Sequence, residues 1–261
     1  MLLEVNEKNL SLLGVRFDDY ATFKAIWYAL SSNIIEDWQP TRKDVLALKE
    51  HKKGYFFNTL AGESFNKMDV NEDDPYTYFG TSVLCNKFNI RDSKQASQKE
   101  FELVAHRLLD LSQRPFEIHL LSDICAVHQY LFGEMYAWAG KYRTVNLTKG
   151  QTSFMPRQAF ASSEAYINAL LAKYWQNDGT LVRVAHDLAA ILDSLNYMHP
   201  FREGNGRTQR EVIRLLALSK NYQAEILLSD DTKEYDLYMS GTIKGEIIIL
   251  QDLFRQILKR Q

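Results

Sequence analysis

Apolar residues at Leu181, Val184, Leu188, Ile191, Leu192, Leu195 and Met198 repeat at the spacing of one helix face, and Pro200 cuts the repeat short. A proline cannot continue the helix and disfavours helical dihedrals in the residue before it, so a core helix is expected to stop near His199. The helical pattern resumes after Arg207 with Val212, Ile213, Leu215 and Leu216. Between the two lies His199-Pro200-Phe201-Arg202-Glu203-Gly204-Asn205-Gly206-Arg207-Thr208-Gln209-Arg210, a base, an acid, two glycines and three guanidinium groups.

The chemistry of the loop follows from its residue types. Glycines at 204 and 206 allow positive φ and close approach of backbone N–H groups to a ligand. The amides opening the second helix have no intrahelical acceptor and favour an anion. Arg207 and Arg210 fall in that first turn, where the helix dipole disfavours cations unless something negative stands between them. A polyphosphate supplies that charge, and a Mg2+ ion bridging Glu203 to phosphate oxygens removes the conflict between carboxylate and phosphate. Taken singly, the histidine reads as a helix cap, the charged residues as a solvated loop and Gly-Asn-Gly as a tight turn.

The twelve residues resemble the signature of the Fic family, His-x-Phe-x-(Asp/Glu)-Gly-Asn-Gly-Arg-x-x-Arg, at every fixed position. Members of that family mostly transfer AMP from ATP to protein hydroxyls. The resemblance implies His199 as the general base, Glu203 as the Mg2+ ligand, Gly204, Asn205 and Gly206 as the phosphate cradle, and Arg207 and Arg210 as the triphosphate clamp. Asn196 stands where relatives commonly carry Asn. From Tyr136 to Pro156 the helical period gives way to alternation, Val145 and Leu147 share a face, and Lys149-Gly150 offers a turn, so a short hairpin is expected. In relatives the equivalent flap covers the site and pairs with the target by strand addition, which makes Thr152, Ser153 and Phe154 target-docking residues. Tyr76 to Asp92 is similar to the entry of the Fic core, and the resemblance spans roughly Asn71 to Gln261.

Ahead of it, Phe23, Ile26, Trp27, Leu30 and Ile34 form a helix stripe that must end before Pro40, and Thr41 with Asp44 resembles a capping box opening a helix through Leu48 that Gly54 closes. Ser32 and Glu36 share a face away from the stripe, which periodicity alone assigns to solvent. They also match (Ser/Thr)-x-x-x-Glu-(Gly/Asn), the inhibitory motif by which a glutamate pairs with the second signature arginine in many Fic proteins; Asp37 departs from it. Ala29 to Leu46 is similar to the small antitoxin that accompanies one Fic class as a separate chain. Residues 1–70 are therefore expected to form an antitoxin-like inhibitory module, fused to a catalytic domain at 71–261, with the acidic Asn71-Glu72-Asp73-Asp74-Pro75 as the linker.

Further helices are expected over 95–111, 117–132, 157–175 and 234–259; His128, in the second of these, reads as a satisfied core histidine. A balance of 31 basic and 33 acidic residues gives no electrostatic case for nucleic acid or anionic membrane. Cys85 and Cys125 lack metal-site spacing and indicate a reducing compartment. With no long apolar run and no leader pattern, a cytoplasmic chain is expected. The expected fold is a mainly α Fic-type core with a β-hairpin flap. The resemblance implies a protein adenylyltransferase using Mg2+ and ATP on a target hydroxyl, its own included. Transfer of another group from a diphosphate donor, and a nucleotide-binding regulatory module with little turnover, stay open.

Overall fold

The computed structural model describes residues 3–51, 74–113, 116–149, 152–229 and 232–260. Gly54, Gly150, the 71–73 part of the linker and the expected boundary near residue 70 lie outside them, as does the side chain of Thr152. Helices α1 (Tyr20–Ile34), α2 (Arg42–Lys49), α3 (Ser93–Gln113), α4 (Leu121–Phe132), α5 (Phe160–Gln176), α6 (Leu181–Met198), α7 (Asn205–Ser219), α8 (Lys233–Lys244) and α9 (Ile247–Ile257) dominate it. The strands are two residues long: β1 (Val5–Asn6), β2 (Ser11–Leu12) and β3 (Val15–Arg16) form an antiparallel sheet, β4 (Thr148–Lys149) pairs with β5 (Thr152–Ser153), and β6 (Tyr222–Gln223) with β7 (Lys259–Arg260). The mainly helical expectation holds.

α6 lies at the centre, packed against α5, α7 and α9, with Val184, Leu188, Ile191, Leu192, Leu195 and Met198 buried as the stripe required. Only Leu181, at its first turn, stays exposed. The single helix expected over 234–259 is two. Gly245 takes φ +66 between them, and a Cβ on Gly241 would fall 2.5 Å from the Leu250 side chain, so the turn and the close crossing both use glycine.

α1 starts where Asp19 accepts the Thr22 amide at 2.8 Å and packs on α3 and α7. Its burial exceeds the expected stripe: Tyr28, Ser31, Ser32 and Asn33 are as enclosed as Phe23 and Leu30. Each polar group on that second face has a partner. Trp27 Nε1 donates to the Leu228 carbonyl at 2.7 Å, the Leu228 amide to Ser31 Oγ at 2.9 Å, and Tyr28 Oη to Glu211 Oε2 at 2.9 Å. Those partners make burial affordable, because an unpaired polar group there would cost roughly 1–3 kcal/mol. The capping box of α2 forms, with Asp44 Oδ2 accepting from the Thr41 amide at 2.6 Å and from its hydroxyl at 2.7 Å. Residues of α1 and α2 join those of α6 and α7 in one continuous apolar core.

Candidate active site

α6 ends on the catalytic candidate. His199 takes φ 47, ψ 61, and its amide closes the helix on the Leu195 carbonyl at 2.9 Å. Its Nδ1 lies 3.1 Å from the Asn196 carbonyl, which can only accept, so Nδ1 carries a proton and, in the neutral ring, Nε2 bears the lone pair. That is the tautomer of a base. Asn196 thus acts through its backbone, while its side-chain amide ties α6 to α8 by donating to the Thr242 carbonyl at 2.8 Å.

The loop is braced from inside. Asn205 Oδ1 accepts the Phe201 amide at 2.9 Å and its Nδ2 donates to the Phe201 carbonyl at 2.8 Å, so this side chain holds the turn. Gly204, at φ +79, faces Phe132, whose ring a Cβ would enter at 2.3 Å. α7 begins directly after it, with Asn205 and Gly206 on the cavity wall. Gly204 itself is not on that wall; its amide donates to Glu203 Oε1 at 2.8 Å. Desolvation by the surrounding protein first, and then the nearby Glu100 carboxylate, raise the pKa of the Glu203 carboxyl.

The two signature arginines separate. Arg210 lines the cavity. It donates to Glu36 Oε1 at 2.8 Å, to the Ser32 carbonyl at 2.7 Å and, with Nη1, to Tyr238 Oη at 2.9 Å; Ser32 Oγ lies 3.3 Å from Nε. Burial works against its charge, and Tyr238 and Glu36 more than offset that. Arg207 is absent from the cavity wall and only 2% exposed. Its Nη2 donates to Glu100 Oε1 at 2.5 Å and lies 3.6 Å from Glu203 Oε1, and its guanidinium rests on the Phe101 and Phe132 rings. The expected clamp is therefore one arginine in the cavity and one beneath it. The buried carboxylate of Glu100 on α3 draws Arg207 away, and no local pattern signalled it.

Glu36 reaches the cavity from the turn that ends α1. The helix stops at Ile34, so Glu36 is not a full turn along the same helix as Ser32; a turn over residues 35–37 closed by Asp37 at φ +68 aims its carboxylate. A Cβ on Gly206 would fall 2.5 Å from Glu36 Oε1. A carboxylate thus sits against the opening turn of α7, a position that favours an anion.

The flap forms as expected, with Thr148 opposite Ser153 and Lys149 opposite Thr152. Ser153 is exposed, and Phe154 stacks on the His199 ring at 3.7 Å and 17°. Arg143, to which sequence reasoning assigned no role, is buried and binds the carbonyls of His199 at 2.8 Å, Val145 at 2.5 Å and Met155 at 2.6 Å. One guanidinium thereby joins the base to both stems of the flap. Arg202 pairs with Asp74, Nη2 to Oδ2 at 2.5 Å.

His199, Glu203, Arg210, Glu36, Phe154 and Gly206 surround one cavity of about 550 Å³, walled further by Ile35, Met239 and Ile243. Among the described residues no helix is long and apolar enough to cross a membrane.

The Fic/DOC family model matches residues 117–217. A relative from Salmonella typhimurium, named "Probable protein adenylyltransferase Fic", is 34% identical over 154 residues, 57% of this chain and 74% of that one. A namesake from Escherichia coli K12 is 29% identical over 71% of this chain and 92% of its own. Among solved structures, the BepC protein of Bartonella tribocorum with bound AMPPNP matches with a TM-score of 0.61 at 19% identity, covering 73% of this chain and all of that one. With the signature loop folded around the cavity and these relatives matching across it, the chain belongs to the Fic/DOC family.

Proposed function

We infer that the chain is a protein adenylyltransferase, moving AMP from Mg-ATP to a Ser, Thr or Tyr hydroxyl of a target protein, and that Glu36 holds it at rest. The observation that carries this is the convergence on one cavity of an imidazole lone pair, a helix N-terminus and a guanidinium already paired with an anion. The names of the curated relatives support the activity.

In the transfer, the target hydroxyl forms a bond to the α-phosphorus while the bond to the bridging oxygen breaks and pyrophosphate leaves. His199 Nε2 takes the hydroxyl proton. Such reactions ask a protein mainly for in-line positioning and charge neutralisation, here from Arg210 and the first amides of α7. Among the described residues no three His, Cys, Asp or Glu side chains are grouped to chelate a metal. Mg2+ needs only one or two carboxylates beside phosphate oxygens, and the Glu203 side chain, 42% exposed among other acidic groups, fits that. When bound there, Mg2+ would supply charge neutralisation of the triphosphate.

The resting contact supports an inhibitory reading of Ser32 and Glu36 and of the 1–70 segment. Pairing Arg210 with Glu36 removes the cavity's guanidinium from a phosphate, and the carboxylate against Gly206 repels one. The flap, with Thr152, Ser153 and Phe154, would dock an extended target segment beside His199. The test uses Glu36→Gly with a cell lysate and ATP labelled at either the α- or the γ-phosphate. Protein labelling from the α position alone is expected. Labelling from the γ position, or none, would reject the reading.

A further inference from the structure

His128, on α4, is fully enclosed and touches no part of the cavity. The Gly140 amide lies 2.8 Å from its Nδ1, and an amide nitrogen only donates, so Nδ1 bears the lone pair. The ring proton of the neutral imidazole is then on Nε2, 2.9 Å from the Glu203 carbonyl, which only accepts. Phe201 stacks on one side of the ring at 3.8 Å and 18°, and Phe132 at 4.8 Å and 27°. The imidazole can neither turn nor swap its two hydrogen bonds.

The Glu203 carbonyl shares a planar trans peptide with the Gly204 amide, so the two point in opposite directions. Drawing the carbonyl to His128 turns the Gly204 N–H the other way, to Glu203 Oε1 at 2.8 Å. Gly204 sits at φ +79 with no Cβ, and a glycine peptide has few steric reasons of its own to prefer one orientation. Something outside the loop must choose it. We propose that His128 is a positioning residue whose Nε2–H sets the Glu203–Gly204 peptide plane, and through it the direction of the Glu203 carboxylate and the amide leading into α7. It contacts no reacting atom.

The assignment rests on the nucleotidyl-transfer reading, and two side chains separate its parts. Asparagine can place an acceptor near the Nδ1 position and keeps the Gly140 bond; glutamine reaches the Nε2 position and keeps a donor for Glu203. In a Glu36→Gly background, His128→Asn should lose about 100-fold in kcat, the scale of one misplaced donor, and His128→Gln should recover at least about tenfold of that at matched thermal stability. A side chain that merely fills the core would make kcat follow melting temperature in both variants. Equal losses in the two overturn the proposal. On the intact chain, 15N imidazole spectra should show His128 protonated at Nε2 and bare at Nδ1; the opposite tautomer overturns it whether or not the variants fold. If the Glu36→Gly parent transfers nothing, the functional reading fails, and the tautomer still judges how the peptide is set.

Discussion

His199 and Asp37 both stand in the left-handed region, at φ 47 and 68, each closing the structure that aims a charged or basic group at the cavity. For most L-residues that region costs roughly 1–2 kcal/mol, and only Gly, Asn and Asp enter it readily. This explains why the inhibitory pattern asks for Gly or Asn after its glutamate and why Asp37 is a tolerable departure. Asp37→Gly should keep the turn and gain up to about 1 kcal/mol, whereas Asp37→Val should lose about 1–2 kcal/mol and loosen Glu36. Thermal melts and transfer rates on the two check both halves. His199→Ala should reduce transfer by about 100- to 10,000-fold with ATP affinity nearly unchanged, read by single-turnover labelling beside calorimetry. The meeting of His199, Glu203 and Arg210 at one cavity was legible because the loop compresses them into twelve residues. The direction of Arg207 was not legible, because Glu100, over a hundred positions away, decides it and a three-residue spacing carries no information about that.

At the scale of elements, periodicity found α6 and α7 and the apolar stripe of α1, since each buries a face that repeats. It missed the second face of α1, where Tyr28, Ser31, Ser32 and Asn33 are buried against partners near residues 210 and 228. It also ran α8 into α9, because Gly245 alone does not mark a break in an otherwise helical pattern. The burial of α1 limits how the proposed inhibition can be relieved. With Phe23, Ile26 and Leu30 wholly enclosed, undocking the helix would expose three large side chains at about 1.5–3 kcal/mol each. Relief should be confined to the last turn. In Glu36→Gly, hydrogen exchange should quicken over residues 33–38 and remain slow over 23–31; uniform loosening of α1 would argue for release of the whole helix.

In the whole molecule α1 and α2 share one core with α6 and α7, and a polar junction fastens His51, just after α2, to α3. Asp110 Oδ1 lies 2.7 Å from His51 Nε2, and His51 Nδ1 lies 2.7 Å from His106 Nδ1, with Arg107 and Tyr130 alongside. Burial, and then His51, lower the His106 pKa to about 4. The unfolded imidazole titrates near 6.5, so the fold favours the neutral form: its contribution is complete above 6.5 and is lost as pH falls through about 4. That loss is on the order of 2–3 kcal/mol, and denaturant midpoints between pH 7 and 4 should show it, with a flatter slope in His106→Gln. The sequence predicted an N-terminal module beside a catalytic region, but not the core that α1 and α2 share with α6 and α7, since helix patterns give faces and not which faces meet.

In the proposed inhibition, the resting state depends on the contact of Glu36 with Arg210. Breaking a buried ion pair from one side costs about 3–5 kcal/mol, close to the roughly 5.5 kcal/mol that reverses a population from one in a hundred to ninety-nine. Incubation of the intact chain and of Glu36→Gly with α-labelled ATP and the same protein substrate gives the two transfer rates directly. The variant should label at least about tenfold faster. Equal rates would mean that the carboxylate seated against Gly206 restrains nothing.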